Sequence, residues 1–424
     1  MKQILFILIL VTATCKLNAQ FDNNVFPQSN YKSCVEANSN IDFVSSSISN
    51  QFMNTFLWKD HIDSTTKQWM YNALKKNNVT GFDFDNTISC ITFPDTFVGV
   101  SDIGVFASFG KHYHADINMT DDALRLFFGG NKQFKGATAD IAQSSLNLVS
   151  YQQLMFGILT KFGQGSTHHK FGVGISINQG IKNIFMNIER GSLYTAPEAE
   201  YIDFSAEYEY YQSDTSNNWN IKGMGTSLYF YYTFQTKEND RFNFQISNLG
   251  FIHWNKNSRK FANDTTIHFE GATITDPLNI EENIFENANV DSIKNSFLYY
   301  NEKESYYMML PALVRISYLH NFSDKFSMEL SATKKFYCHY QPFLLSKAQY
   351  YYNKNNMLSL NLSYGGYALN RSYVTHNINT GIEYVHQFKN NCSVQLGSNY
   401  INGLIYANSQ TVQGVYVSLK KYFF

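Results

Sequence analysis

The stretch "KFGVGISINQ" (Lys170–Gln179) alternates along its whole length. Phe171, Val173, Ile175 and Ile177 are apolar, and Gly172, Gly174, Ser176 and Asn178 between them are small or polar. Successive side chains of a β-strand point to opposite faces, so this pattern builds one greasy face and one neutral polar face. The expectation is that the first set touches lipid and the second lines a crowded interior.

The same pattern returns along the chain. In "GTSLYFYYTF" (Gly225–Phe234), Leu228, Phe230, Tyr232 and Phe234 share one face. In "RFNFQISN" (Arg241–Asn248), Phe242, Phe244 and Ile246 oppose Asn243, Gln245 and Ser247. "KFSMELSA" (Lys325–Ala332) and "MLSLNLSYG" (Met357–Gly365) repeat the arrangement. A period of two over so many segments is a strand signal. Short turns separate the runs: "TKENDR" (Thr236–Arg241), "NFSDKF" (Asn321–Phe326), "YNKNNM" (Tyr352–Met357) and "FKNNCS" (Phe388–Ser393). Flanking strands therefore read as neighbours in an antiparallel meander. About fifteen candidate strands lie between Ile41 and Phe424.

Composition narrows the setting. The chain has 424 residues, a formal net charge of −1, 16% charged and 17% aromatic residues, and a mean hydropathy of −0.30. The charge balance offers no bulk attraction for nucleic acid. No window approaches the 18 consecutive apolar residues of a membrane helix; "YYMMLPALVRISYL" (Tyr306–Leu319) is broken by Pro311 and Arg315. Residues 1–19 read as a cleaved signal peptide, with Lys2, an apolar core from Ile4 to Ala13, and Leu17-Asn18-Ala19 before Gln20. A lipoprotein reading at Cys15 fits less well, because Thr12 and Thr14 make a poor lipobox. Cys34, Cys90, Cys338 and Cys392 remain, far apart and without CxxC or CxH spacing, so no metal site is indicated. Three full disulfide pairings are open to four cysteines; free thiols are the preferred reading.

A soluble sandwich would also alternate. Export, a meander of this extent, and polar faces that are neutral and small all favour a membrane barrel. The expected fold is an all-β, antiparallel transmembrane β-barrel of about 14 strands (12–16) with short helices. Residues 20–40 form an N-terminal segment inside the lumen, and 41–424 the outer-membrane barrel. Closure pairs every backbone amide within hydrocarbon, and Tyr and Phe near the run ends suit interfacial girdles. Helices are expected at roughly Thr65–Lys76 and over "TDDALRLFFGG" (Thr120–Gly130), with Thr120 as N-cap and Gly129 as stop. Asn255–Glu304 reads as a long exposed loop. The closing "VYVSLKKYFF" (Val415–Phe424) resembles the final strand of bacterial outer-membrane barrels. Its register is open, because Phe424 falls on the face opposite Val415, Val417, Leu419 and Phe423.

Motifs for chemistry are scarce. "FDFDNT" (Phe82–Thr87) copies the DxDxT loop of haloacid-dehalogenase-type phosphotransferases, but "KKNNVTG" before it is no buried apolar strand and the chain has no βαβ pattern. Asp83, Asp85, Thr87 and Ser89 read instead as the lumen face of a strand, with Phe82 and Phe84 facing out. The pairs His112/His114 and His168/His169 read as solvated residues at turns. GxSxG, HExxH, P-loop and GxGxxG motifs are all missing, so catalytic, cofactor-binding and metal residues are none, no cofactor is expected, and the chain reads as no enzyme.

"VFPQSNY" (Val25–Tyr31), "FFGGNKQFKGATADI" (Phe127–Ile141), "ISNLGFIHWNKNSRKF" (Ile246–Phe261) and the closing strands together resemble a Bacteroidota outer-membrane barrel family catalogued as a domain of unknown function. That family is similar in plan to long-chain fatty-acid transporter barrels and to PorP/SprF-type proteins. One departure is that "KSCVEAN" (Lys32–Asn38) stands where relatives carry Asn-Pro-Ala, so their plug geometry is not carried over. The resemblance implies a channel or transporter for small ligands, hydrophobic ones among them. The alternative is a scaffold or adaptor barrel of secretion or gliding machinery, which would meet envelope proteins through 255–304. Gly172/Gly174 and Gly365-Gly366 are candidate sites for a lateral gap in the wall, or simply relieve crowding in the lumen.

Overall fold

The computed structural model describes residues 32–57, 63–163, 167–216, 221–236, 240–270, 303–369, 378–405 and 410–424. The expected signal peptide, residues 20–31 and most of the long loop lie outside them. In chain order the strands are β1 (Ser33–Ser49), β2 (Asn77–Thr92), β3 (Ile103–Thr120), β4 (Ala137–Asp140), β5 (Ser144–Phe162) and β6 (His168–Thr195). Next come β7 (Ile202–Gln212), β8 (Gly223–Gln235), β9 (Arg241–Trp254), β10 (Arg259–Phe269), β11 (Tyr306–Met309) and β12 (Leu313–Ser323). The last are β13 (Phe326–Lys335), β14 (Phe343–Asn353), β15 (Asn356–Gly365), β16 (Ile378–Gln387), β17 (Cys392–Ser398) and β18 (Gln410–Phe423). Among the described residues, four short α-helices join them: α1 (Asn50–Leu57), α2 (Ser64–Ala73), α3 (Asp121–Gly129) and α4 (Ile401–Ile405).

Fourteen strands close a ring, all antiparallel: β1, β2, β3, β5, β6, β8, β9 and β12 through β18. The seam is β1 on β18, from Ser33↔Phe423 to Val44↔Val412. Residues Ser33–Asn40, expected inside the lumen, are therefore wall. Their alternation is short of large apolar side chains, which is why the sequence reading started the barrel eight residues late, at Ile41.

The two faces fall as the opening stretch requires. Ile175 and Ile177 are 57% and 52% exposed, whereas Ser176 and Asn178 are 2% and 0%. Leu358, Leu360 and Leu362 likewise face out while Ser359, Asn361 and Ser363 are buried. An outer surface this apolar, around a polar interior, is that of a protein dissolved in lipid. The tight turns after β12, β14 and β16 stand where the sequence put them. Both ends of the described wall, Ser33 and Phe423, lie at this short-turn edge. Exposed Phe162, Phe322, Phe326, Tyr350, Tyr352, Phe388 and Phe423 ring the same edge as an aromatic girdle. The register of β18 is now fixed. Leu419 and Phe423 face out, Lys420 faces the lumen 3.2 Å from Glu36, and Lys421 reaches the Asn390 carbonyl at the rim.

The opposite edge carries the long connections. The Asp63 carboxylate caps α2 by accepting from Thr66 N–H at 2.6 Å. Thr120 caps α3 by accepting from Ala123 N–H at 3.1 Å, as the sequence suggested; the helix ends one residue after the expected stop, Gly129 being its last residue and Gly130 at φ 71° its C-cap. With α1 they pack on one another around Phe52 and Met70, both 0% exposed, and contribute no lining residue to the cavity described below. Part of Asn255–Glu304 is likewise not loop: Arg259–Phe269 pairs with β7 along its length. With β7, β4 and the last third of β6 it forms a flap projecting past the wall. Its polar sequence, "RKFANDTTIHF", hid the strand.

The glycines proposed as wall gaps do not open the wall. Gly172 and Gly174 are paired on both sides, by β5 and β8. The interruption among the described residues is at β17, which stops at Ser398. Above it, α4 stands between Ile378–Gly381 of β16 and the upper part of β18. Asn402 holds it, donating to Asn379 at 3.1 Å and accepting from Thr380 N–H at 3.3 Å.

Candidate lumenal site

The lumen is occupied by two connections that turn inward. After β15, Gly365 (φ 105°) and Gly366 (φ 65°) adopt backbone angles that other residues rarely take. They redirect the chain into the barrel, where Tyr367 is 3% exposed. Gly81 on β2 receives that ring: a Cβ there would lie 2.0 Å from the Tyr367 ring edge. After β13, Tyr337 takes φ 62°, unusual for a bulky residue. This turn leaves Phe336 and Tyr337 exposed and sends Cys338, His339 and Tyr340 inward. Tyr340, Phe343, Tyr367 and Tyr400 then pack with Val44 and Val412 as an aromatic layer across the lumen.

Polar groups tie this plug to the far wall. The ends of β13 and β2 face each other across the ring, with six strands between them in either direction. Lys335 Nζ nevertheless lies 2.5 Å from Asp83 Oδ2, so the ion pair spans the barrel. Asp116 on β3 accepts from His339 N–H at 2.8 Å and from the Tyr367 hydroxyl at 2.8 Å, and its Oδ1 lies 2.5 Å from His339 Nδ1. Asp83 Oδ1 also holds His114 Nδ1 at 2.7 Å, and Asp85 holds His112 Nδ1 at 2.7 Å. The His112 ring stacks on Tyr151, with centroids 4.8 Å apart.

His112 and His114 are therefore not turn residues. They sit in mid-β3 on the inner face, 8% and 6% exposed. "GKHYHADINMT" alternates His112, His114, Asp116 and Asn118 with Tyr113, Ala115, Ile117 and Met119, and that period was the missed signal. Asp83, Thr87 and Ser89 do face the lumen as expected, at 8%, 7% and 1% exposure. His168 and His169 begin β6, and the His169 ring stacks on Phe162 at the end of β5, with centroids 5.0 Å apart.

Below the plug a cavity of about 260 Å³ is lined by Asp42, Asp83, His114, Arg315, Lys335 and Tyr229, among others. Its floor is a set of satisfied polar groups. Glu383, 0% exposed, meets Lys347 at 3.0 Å, Gln395 at 2.8 Å, Ser359 at 3.2 Å and the Tyr416 hydroxyl at 2.5 Å. Gln153 donates to Asn178, Ser227 and Asn248. Two His–Asp dyads with open Nε2 atoms could serve general-base chemistry. Among the described residues no hydroxyl bonds either Nε2. Cys34, Cys90, Cys338 and Cys392 are all free.

Wall, girdle and polar lumen together define a transmembrane β-barrel whose interior holds two of its own connections. The chain belongs to the "Family of unknown function (DUF5723)", matched over residues 25–388. No curated protein matches it. Among solved structures, the toluene transporter TodX of P. putida is similar over 93% of this chain and 91% of its own, at 7% identity and TM-score 0.41. A FadL homologue of Pseudomonas aeruginosa is similar over 92% and 89%, at 9% identity and TM-score 0.43. The outer membrane protease OmpT of Escherichia coli is similar over 95% and 100%, at 8% identity and TM-score 0.23.

Proposed function

We propose that this chain is an outer-membrane channel for small ligands, hydrophobic ones among them, held shut by the segment 336–342 and the turn 365–369. The supporting observation is the kind of closure. The obstruction is two short connections fixed to the far wall by a few polar contacts, not a narrowing of the wall itself. Aromatic rings above the cavity suit an apolar or aromatic body, and the charged groups below suit a polar end. A lumen filled by its own chain admits selected solutes rather than bulk ones. The interruption that α4 fills is where an apolar ligand would leave sideways once that helical turn moves aside.

The test is uptake of a labelled fatty acid and of toluene into liposomes holding the purified protein. Uptake above protein-free vesicles, raised when 336–342 is replaced by a short Gly–Ser turn, supports the reading. Equal uptake in all three preparations overturns it. The adaptor alternative draws support from the projecting β4–β6–β7–β10 flap. Among the described residues, the outer edge of β10 is paired only at Arg259↔Lys303. Loss of envelope partners on deleting 255–304, with uptake unchanged, would favour the adaptor.

A further inference from the structure

We propose that His114, Asp116 and Cys338 form a site for one divalent transition-metal ion, with Zn²⁺ as the natural probe. A ring nitrogen of His114, a carboxylate oxygen of Asp116 and Sγ of Cys338 lie within 4.8 Å of one another. Imidazole, carboxylate and thiolate are the ligand types that zinc takes. Zinc–ligand bonds of about 2.0–2.3 Å place tetrahedral neighbours about 3.5 Å apart, so a small inward shift completes the set.

Three further features fit a metal rather than a chance cluster. His114 Nδ1 is fixed at 2.7 Å by Asp83, which presents the other ring nitrogen to the site; histidine ligands are usually oriented in this way. That nitrogen, Nε2, is buried and meets no oxygen or nitrogen partner among the described residues, while the Cys338 side chain approaches the same imidazole. Asp83 is itself held by Lys335 at 2.5 Å, and Asp116 is steered by His339 and Tyr367, so the supporting contacts are in place before any ion arrives. His114 also lines the cavity, so an ion in the lumen can meet this ligand.

Binding requires the thiolate: the Cys338 S–H bond breaks, the proton leaves to water, and sulfur donates its pair to the metal. The ion would join β3 to the connection after β13. It would thus latch the plug to the same side of the wall that the Lys335–Asp83 pair already grips.

Co²⁺ titration of the purified chain in detergent reads the site directly. Thiolate ligation gives a sulfur-to-cobalt charge-transfer absorption, and Zn²⁺ should displace it. One equivalent per chain is expected. Cys338→Ser should abolish the band, Asp116→Asn should weaken binding, and Asp83→Asn should cost about 10–100-fold in affinity. Cys392→Ser, remote from the site, should change nothing. Each variant's heat-modifiable gel mobility shows whether the barrel is folded. If Cys338→Ser is not, the Asp116→Asn and Asp83→Asn titrations decide alone. Absence of stoichiometric Co²⁺ binding by the folded wild type, or a band that survives in folded Cys338→Ser, overturns the proposal. So do folded Asp116→Asn and Asp83→Asn variants that bind as the wild type does.

Discussion

Replacing Lys335 with methionine removes the cation that pins the plug while keeping most of the side chain's volume. Lys335 and Asp83 side chains are 16% and 11% exposed and 2.5 Å apart. Deleting one partner of a pair this buried leaves an uncompensated charge and costs about 3–5 kcal/mol. Asp83 keeps His114 as a second partner, so the lower end of that range applies. If the cost falls on the plugged state alone, roughly 3 kcal/mol shifts the open-to-closed ratio by about two powers of ten. Planar-bilayer recording should then show frequent openings in Lys335→Met where wild type is mostly silent. The double variant Lys335→Met/Asp83→Asn removes the stranded charge and should recover part of the closure. A folded Lys335→Met barrel with wild-type conductance would refute the reasoning, because it would mean that the pair does not hold the plug.

Three other outcomes follow from packing and polarity. Gly81→Val puts atoms inside the Tyr367 ring position and should cost about 1–3 kcal/mol, relieved by adding Tyr367→Ala, as read by thermal melting. Glu383→Ala strands buried Lys347 and should cost about 3–5 kcal/mol, read as a lowered denaturant midpoint in vesicle-bound protein. Leu360→Arg, at a side chain 64% exposed on the outer face, should cost about 2–4 kcal/mol in lipid if it sits near the midplane. The same change in a soluble barrel would be nearly silent, so that result would sink the membrane reading.

How much of this could be read beforehand depended on where the alternation was amphipathic. Strands such as β6, β8 and β15, with Phe, Ile or Leu on one face and Ser or Asn on the other, announced both their existence and their orientation. Strands whose outward residues are small or polar did not. Ser33–Asn40 and Arg259–Phe269 were missed for that reason, and His112 and His114 were assigned to a turn because their neighbours Lys111 and Tyr113 do not look like a lipid face. The helix start was legible because capping is local: Thr120 acts within one turn of itself, whereas the stop read at Gly129 falls one residue short of the Gly130 cap. The site was not. Lys335 meets Asp83 across 252 positions of sequence, and His339 meets Asp116 across 223. No spacing rule reaches that far, and the closure depends on ring topology. The glycines at 365–366 carried a signal, yet their left-handed angles turn the chain inward rather than opening the wall.

The notch that α4 fills has a mechanical consequence. A continuous ladder resists hoop stretching through every rung, but here the rungs stop at Ser398 and a single turn of helix takes over, secured by side-chain amides. Deuterium should enter the backbone of Ile378–Gly381 and Ile401–Ile405 well before it enters the middle of β5 or β6. The barrel is thus a hoop with one compliant stave, and strain applied anywhere around it will be taken up there first.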